Sequence, residues 1–226
     1  MVNYDPATAT PSQVTTFADL PATTSPVRAD YLQHIHAVLG DWLGNSGRAP
    51  GMVAGQYPRT GQYISVASTV NPSAAALANS TMRASYIDLA AAGTADRIGV
   101  EVTTLQSGGL ARLGIYATSL TTGLPSTLIL DAGTIDGSSN GFKEITISQA
   151  LNPGRYWLAY TSQSSGTAPT VRVMGAPTMG IPTFAQSDLT SVPAAVQQSS
   201  VTGALPNPFV PTATGSLVAR VYLRFA

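Results

Sequence analysis

Cysteine is absent from this 226-residue chain, so neither a disulfide framework nor a thiolate metal site can form. Charge is scarce too: Asp, Glu, Lys and Arg together make 10% of the residues and cancel to a formal net charge of zero. Lys143 is the single lysine and the arginines are scattered, which leaves no electrostatic footprint for nucleic acid or an anionic membrane. No run approaches the ~20 apolar residues of a membrane span. Met1-Val2-Asn3-Tyr4-Asp5-Pro6 lacks the basic stretch and apolar run expected of a secretory signal. Histidine is limited to His34 and His36, two positions apart in a predicted helix, hence on different faces and a poor metal pair.

What the chain does have is apolar and turn-forming residues: 44% hydrophobic, with 21 Gly and 16 Pro. That is the make-up of turn-rich β structure rather than a helical bundle. The length is enough to bury a core, either as one large β domain or as a β domain with an appendage.

The first 24 residues are rich in Thr, Ala and Pro and read as an extended arm. Ser25 and Pro26 then supply an N-cap and a first helical residue, and Gly44 is placed to end the helix that follows. Leu32, Ile35, Leu39 and Trp42 recur at spacings of three, four and three, the beginning of a heptad seam. A lone helix of this length needs a partner for its apolar face. Self-association of the seam and packing on the chain's own β domain both satisfy that need. Gly, Pro and Arg between residues 44 and 59 have the look of a linker. The expected organisation is therefore an arm and oligomerisation or attachment helix over 1–50, a linker over 51–61 and a β-sandwich over 62–226.

Short alternating runs follow, with a turn signal roughly every 8 to 12 residues, which argues for an antiparallel sandwich. Tyr63-Ile64-Ser65-Val66 is the first candidate strand, residues 71–78 a short helical or irregular crossing, and residues 82–89 the second strand. Period two places Ile98, Val100 and Val102 inward, and likewise Ala111, Leu113 and Ile115. Arg112, Gly114 and Tyr116 then face out. Gly99 and Gly114 interrupt these outer faces, as close backbone approach or strand curvature would require. Residues 137–141 read as a hairpin tip, and Asn152-Pro153-Gly154 as a type II turn. Residues 175–214 lose the alternation, as a functional excursion or a segment laid over a partner would. Leu217, Ala219, Val221, Leu223 and Phe225 close the chain as an alternating strand.

In order, Asp-Arg-Ile-Gly-Val-Glu-Val from 96, Ala-Arg-Leu-Gly-Ile-Tyr from 111, Leu-Asp-Ala-Gly-Thr-Ile-Asp from 130, Lys-Glu-Ile-Thr-Ile from 143 and Pro-Gly-Arg-Tyr-Trp-Leu-Ala from 153 resemble the head domain of bacteriophage tail-fibre and related virion surface proteins. The resemblance covers residues 82–175 and, more loosely, 218–225. It implies a jelly-roll-like head, displayed on a virion as a homotrimer and recognising a host-surface glycan, with the exposed loops and the outward Tyr116 as candidates for contact. Residues 1–50 would then attach it to other tail or capsid proteins. The same fold serves equally as a capsid decoration protein or head fibre, because fold does not determine use.

Reactive chemistry has little to stand on. Gly-x-Ser-x-Gly, phosphate-loop and His-Glu-x-x-His patterns are missing, and both histidines fall in the helix, away from the β domain. Asp131 and Asp136 flank Gly133 without the Asp-x-Asp-x-Asp-Gly pattern of a calcium loop. A polysaccharide hydrolase would need two carboxylates converging across a cleft. The expectation is a non-enzymatic protein with no catalytic residue, no cofactor and no metal.

Overall fold

The computed structural model describes residues 55–66, 71–175 and 195–226, within a compact unit spanning Ala54–Ala226. The arm, the seam of Leu32, Ile35, Leu39 and Trp42, both histidines, and residues 176–194 of the expected excursion lie outside the described residues.

The elements are strands: β1 (Tyr63–Ser65), β2 (Ser73–Ala76), β3 (Met82–Leu89), β4 (Gly93–Thr104), β5 (Leu110–Thr118), β6 (Pro125–Asp136), β7 (Gly141–Leu151), β8 (Gly154–Ser162), β9 (Thr170–Gly175), β10 (Ala195–Gln198), β11 (Ala213–Gly215), β12 (Leu217–Ala219) and β13 (Tyr222–Phe225). They form two antiparallel sheets. The seven-stranded sheet runs β1-β13-β4-β9-β12, with β7 on β4 and β2 on β9; the six-stranded sheet runs β11-β10-β3-β8-β5-β6. The chain changes sheet at almost every connection from β3 to β10, and only β5 and β6 are consecutive neighbours there. This is a β-sandwich, as the alternation implied.

Its interior is the set that period two selected. Ile98, Val100 and Val102 from β4 meet Ala111, Leu113 and Ile115 from β5, joined by Leu158, Tyr160, Val171, Val173, Leu223 and Phe225. Each large apolar side chain removed from water is worth about 1.5–3 kcal/mol, so this shared interior is what keeps the two sheets face to face.

The remaining connections differ from the sequence expectation in instructive ways. Residues 71–78 hold β2, which pairs with β9 from Ser73↔Val173 to Ala76↔Thr170. Alanine's weak strand preference hides a strand whose position is set by its neighbour's ladder. Residues 137–140 cross from the six-stranded to the seven-stranded sheet instead of closing a hairpin. Gly154 has φ 149°, beyond the roughly 80° of a type II turn. The final run is two strands: β12 pairs with β9 and β13 with β4, and the chain bends at Arg220, whose N–H donates to the Arg172 carbonyl at 2.8 Å. Thr60 bridges Phe225 and Gln56 bridges Leu89, so residues from the expected linker lie against the sandwich.

The largest departure concerns the expected excursion. Its described part supplies β10 and β11, and the connection between them, residues 199–212, lies as a strap across the outer face of the six-stranded sheet. Val201, Leu205 and Phe209 enter a second apolar cluster there with Met82, Ala84, Tyr86, Tyr116 and Trp157. Backbone groups pin the strap at intervals: Val201 N to Ser80 O at 2.9 Å and Phe209 N to Ser126 O at 2.8 Å. The described part of the excursion packs on its own domain because Val201, Leu205 and Phe209 have aromatic side chains to cover.

Candidate functional site

Tyr116 does project away from the inter-sheet core, as expected, but it is fully buried. The strap covers it: its ring meets Phe209 edge-on at 5.3 Å, and its hydroxyl donates to the Pro206 carbonyl at 2.8 Å. Burial pushes the phenol well above its usual pKa. Tyr116 is thus a core residue of the second cluster and is removed from the ligand-contact candidates. One covered face leaves the other to be considered.

On the outer face of the seven-stranded sheet Met174 and Val218 are buried, whereas the part around Tyr63 and Phe142 is left open by the described residues. Strand register sets out its side chains in rows: Ser65 beside Tyr222, Tyr222 beside Gly99, Gly99 beside Glu144. In neighbouring rows Tyr63 opposes Arg224 and Glu101 opposes Phe142. Three rings gather here. Tyr63 and Phe142 lie 5.6 Å apart, Phe142 and Tyr222 5.1 Å, and Tyr63 and Tyr222 6.5 Å, all nearly perpendicular. Such edge-to-face packing is favourable and holds the rings in place. Tyr63 is 46% exposed and Phe142 43%. Other exposed apolar residues such as Leu120, Leu105 and Val210 lie in loops, so this clustering is what distinguishes the site.

Gly99 is the floor under the rings. A β-carbon at this position would stand 2.6 Å from the Lys143 carbonyl and 3.4 Å from the Phe142 ring. The interruption seen in the sequence is therefore a close approach, as read.

Charges surround the rings and are nearly all paired. Arg172 grips Glu101 with two bonds of 3.0 and 2.9 Å, and Arg224 grips Asp96 with two of 3.0 and 2.5 Å. These hydrogen bonds hold both carboxyls below the usual carboxylate range. Tyr63 donates its hydroxyl to Glu144 at 2.7 Å, a bond that raises the phenol's pKa. Arg220 stands apart: its guanidinium lies 5.0 Å from the centre of the Tyr222 ring, and its Nε donates to the Ser65 hydroxyl at 3.2 Å.

No family model, curated protein or solved structure matches this chain. The site must therefore be read from its own chemistry.

Elsewhere among the described residues Asp88, Asp131 and Asp136 are committed to the fold. Asp88 takes two bonds from Arg155, at 2.8 and 2.9 Å. Asp131 accepts from Arg112 at 2.7 and 2.8 Å, from Gly133 N at 3.1 Å and from Leu205 N at 3.0 Å. Asp136 caps Ser138 through its backbone N–H and hydroxyl. Asp131 and Asp136 thus serve separate protein donors, and among the described residues no group of three or more His, Asp or Glu is placed to hold a metal ion.

Tyr63, Phe142 and Tyr222 were not singled out by the sequence reading. Their signal was available only as pairing: each sits on the polar side of an alternating strand, where an aromatic residue has no core to enter.

Proposed function

We propose that this chain is a non-enzymatic virion surface protein of a bacteriophage, displaying its sandwich for recognition of a host-surface glycan, with the open face of the seven-stranded sheet as the contact. The half-exposed cluster of Tyr63, Phe142 and Tyr222 over Gly99 carries this reading. Sugar rings offer C–H faces that pack against aromatic side chains, while their hydroxyls take hydrogen bonds from polar groups placed around the rings. Rings locked edge to face before binding spare the ordering cost that a mobile contact incurs. The strand motifs that resemble tail-fibre heads favour the same use.

The committed carboxylates weigh against hydrolysis. A general acid needs a raised pKa near working pH, whereas Asp96, Glu101 and Asp131 sit below the ordinary range. In this reading the protein needs no cofactor, and residues 1–50 assemble it as a homotrimer and attach it to tail or capsid.

Labelled full-length protein applied to a panel of bacterial envelope polysaccharides tests the proposal. Retention on at least one of them, lost in Phe142→Ala without loss of folding and without release of reducing sugar, is the expected result. Retention unaffected by Phe142→Ala removes the open face from the function.

A further inference from the structure

Building on the glycan-contact reading, we infer that the open face takes an acidic saccharide, with Arg220 anchoring a carboxylate of the sugar beside the Tyr222 ring. The four arginines of this region are not equivalent. Arg172 is clamped on Glu101 and Arg224 on Asp96, and Arg97 lies 3.9 Å from the same Asp96 carboxylate. Arg220 has no carboxylate partner within salt-bridge distance among the described residues.

Its side chain is nonetheless held in place. The bend between β12 and β13 fixes its backbone through the Arg172 carbonyl, the Ser65 hydroxyl takes its Nε, and the Tyr222 ring lies beside the guanidinium. One edge of the planar fork is thus used for positioning. The terminal amino groups accept no such assignment among the described residues, and a carboxylate is the planar, two-oxygen group that such a fork fits.

The charge balance favours a single negative charge. Across this face Arg97, Arg172, Arg220 and Arg224 stand against Asp96, Glu101 and Glu144, which leaves one positive charge in excess. A carboxylate cancels that excess. A doubly charged phosphate monoester would bring one negative charge more than that excess.

The test uses full-length protein on arrayed pairs of saccharides that differ only in bearing a uronic-acid carboxylate or a neutral hydroxymethyl group, with sugar phosphates alongside. Retention of the acidic members about tenfold above the neutral ones is expected, from the strength of charge-assisted bonds. That preference should shrink in high salt. Arg220→Gln should abolish the preference, bringing the acidic members down to the level of their neutral partners, while Phe142→Ala weakens retention of both. Equal retention of acidic and neutral partners, still sensitive to Phe142→Ala, overturns the anionic preference and leaves the glycan reading standing. Preference for the phosphates overturns the carboxylate assignment. Retention of no saccharide overturns both.

Discussion

Leu205 fills the space above Gly114 where a β-carbon would stand, and the Leu130 carbonyl lies only 2.7 Å from that same point. The strap therefore seats on the six-stranded sheet at a place prepared by the absence of a side chain. Gly114→Ala should cost about 1–3 kcal/mol, the usual penalty for overfilling a packed core. Leu205→Ala should cost about 2–5 kcal/mol by leaving a cavity. The two changes act on one contact, so urea unfolding of the double variant should show a loss smaller than the sum. Additive losses would mean that Leu205 and Gly114 do not meet.

Acid should weaken the fold from about pH 5 downward, across the ordinary carboxylate range and below it. Hydrogen bonds from Arg224 and Arg172 hold Asp96 and Glu101 low. At Asp131 burial pushes the carboxyl up, but the Leu205 N–H, Arg112 and the Gly133 N–H outweigh it and the net shift is downward. The folded chain then binds protons less readily than the unfolded one. The stability these groups contribute is complete above their unfolded pKa values and is lost as pH falls through the lower folded values. Urea midpoints measured between pH 7 and pH 3 should fall along this path, and Asp131→Asn should shallow the decline. A midpoint independent of pH would contradict the pairing.

Oligomeric state separates the two uses of the heptad seam. Light scattering on the full chain is expected to give a trimer, and a version beginning at Gly51 a monomer. If both are monomeric, Leu32, Ile35, Leu39 and Trp42 serve some other packing and assembly must lie elsewhere.

The inter-sheet core could be read from the chain because alternation states which side of a strand is dry. Ile98, Val100 and Val102 were legible for that reason, and so were Leu113 and Ile115. Alternation does not say what lies beyond the other side. Tyr116 and Val218 occupy outer positions yet are buried, one under the strap and the other with Met174 and Ala195. The strap itself was hidden because Val201, Leu205 and Phe209 recur every four residues, a spacing foreign to a strand, while Pro206 and Pro208 exclude the helix it would otherwise suggest. The aromatic face was hidden for a different reason. Tyr63, Phe142 and Tyr222 come from three strands separated widely in sequence, and only the register of β1 on β13, β13 on β4 and β4 on β7 brings them over Gly99.

The open aromatic face is tested most directly by following aromatic ring resonances while a retained saccharide is titrated into full-length protein. The rings of Tyr63, Phe142 and Tyr222 should shift together with saturation, while Tyr116 and Trp157, enclosed beneath the strap, stay where they are. A saccharide that is retained yet leaves these three rings unmoved at saturation would contradict the assignment of the seven-stranded sheet as the contact surface.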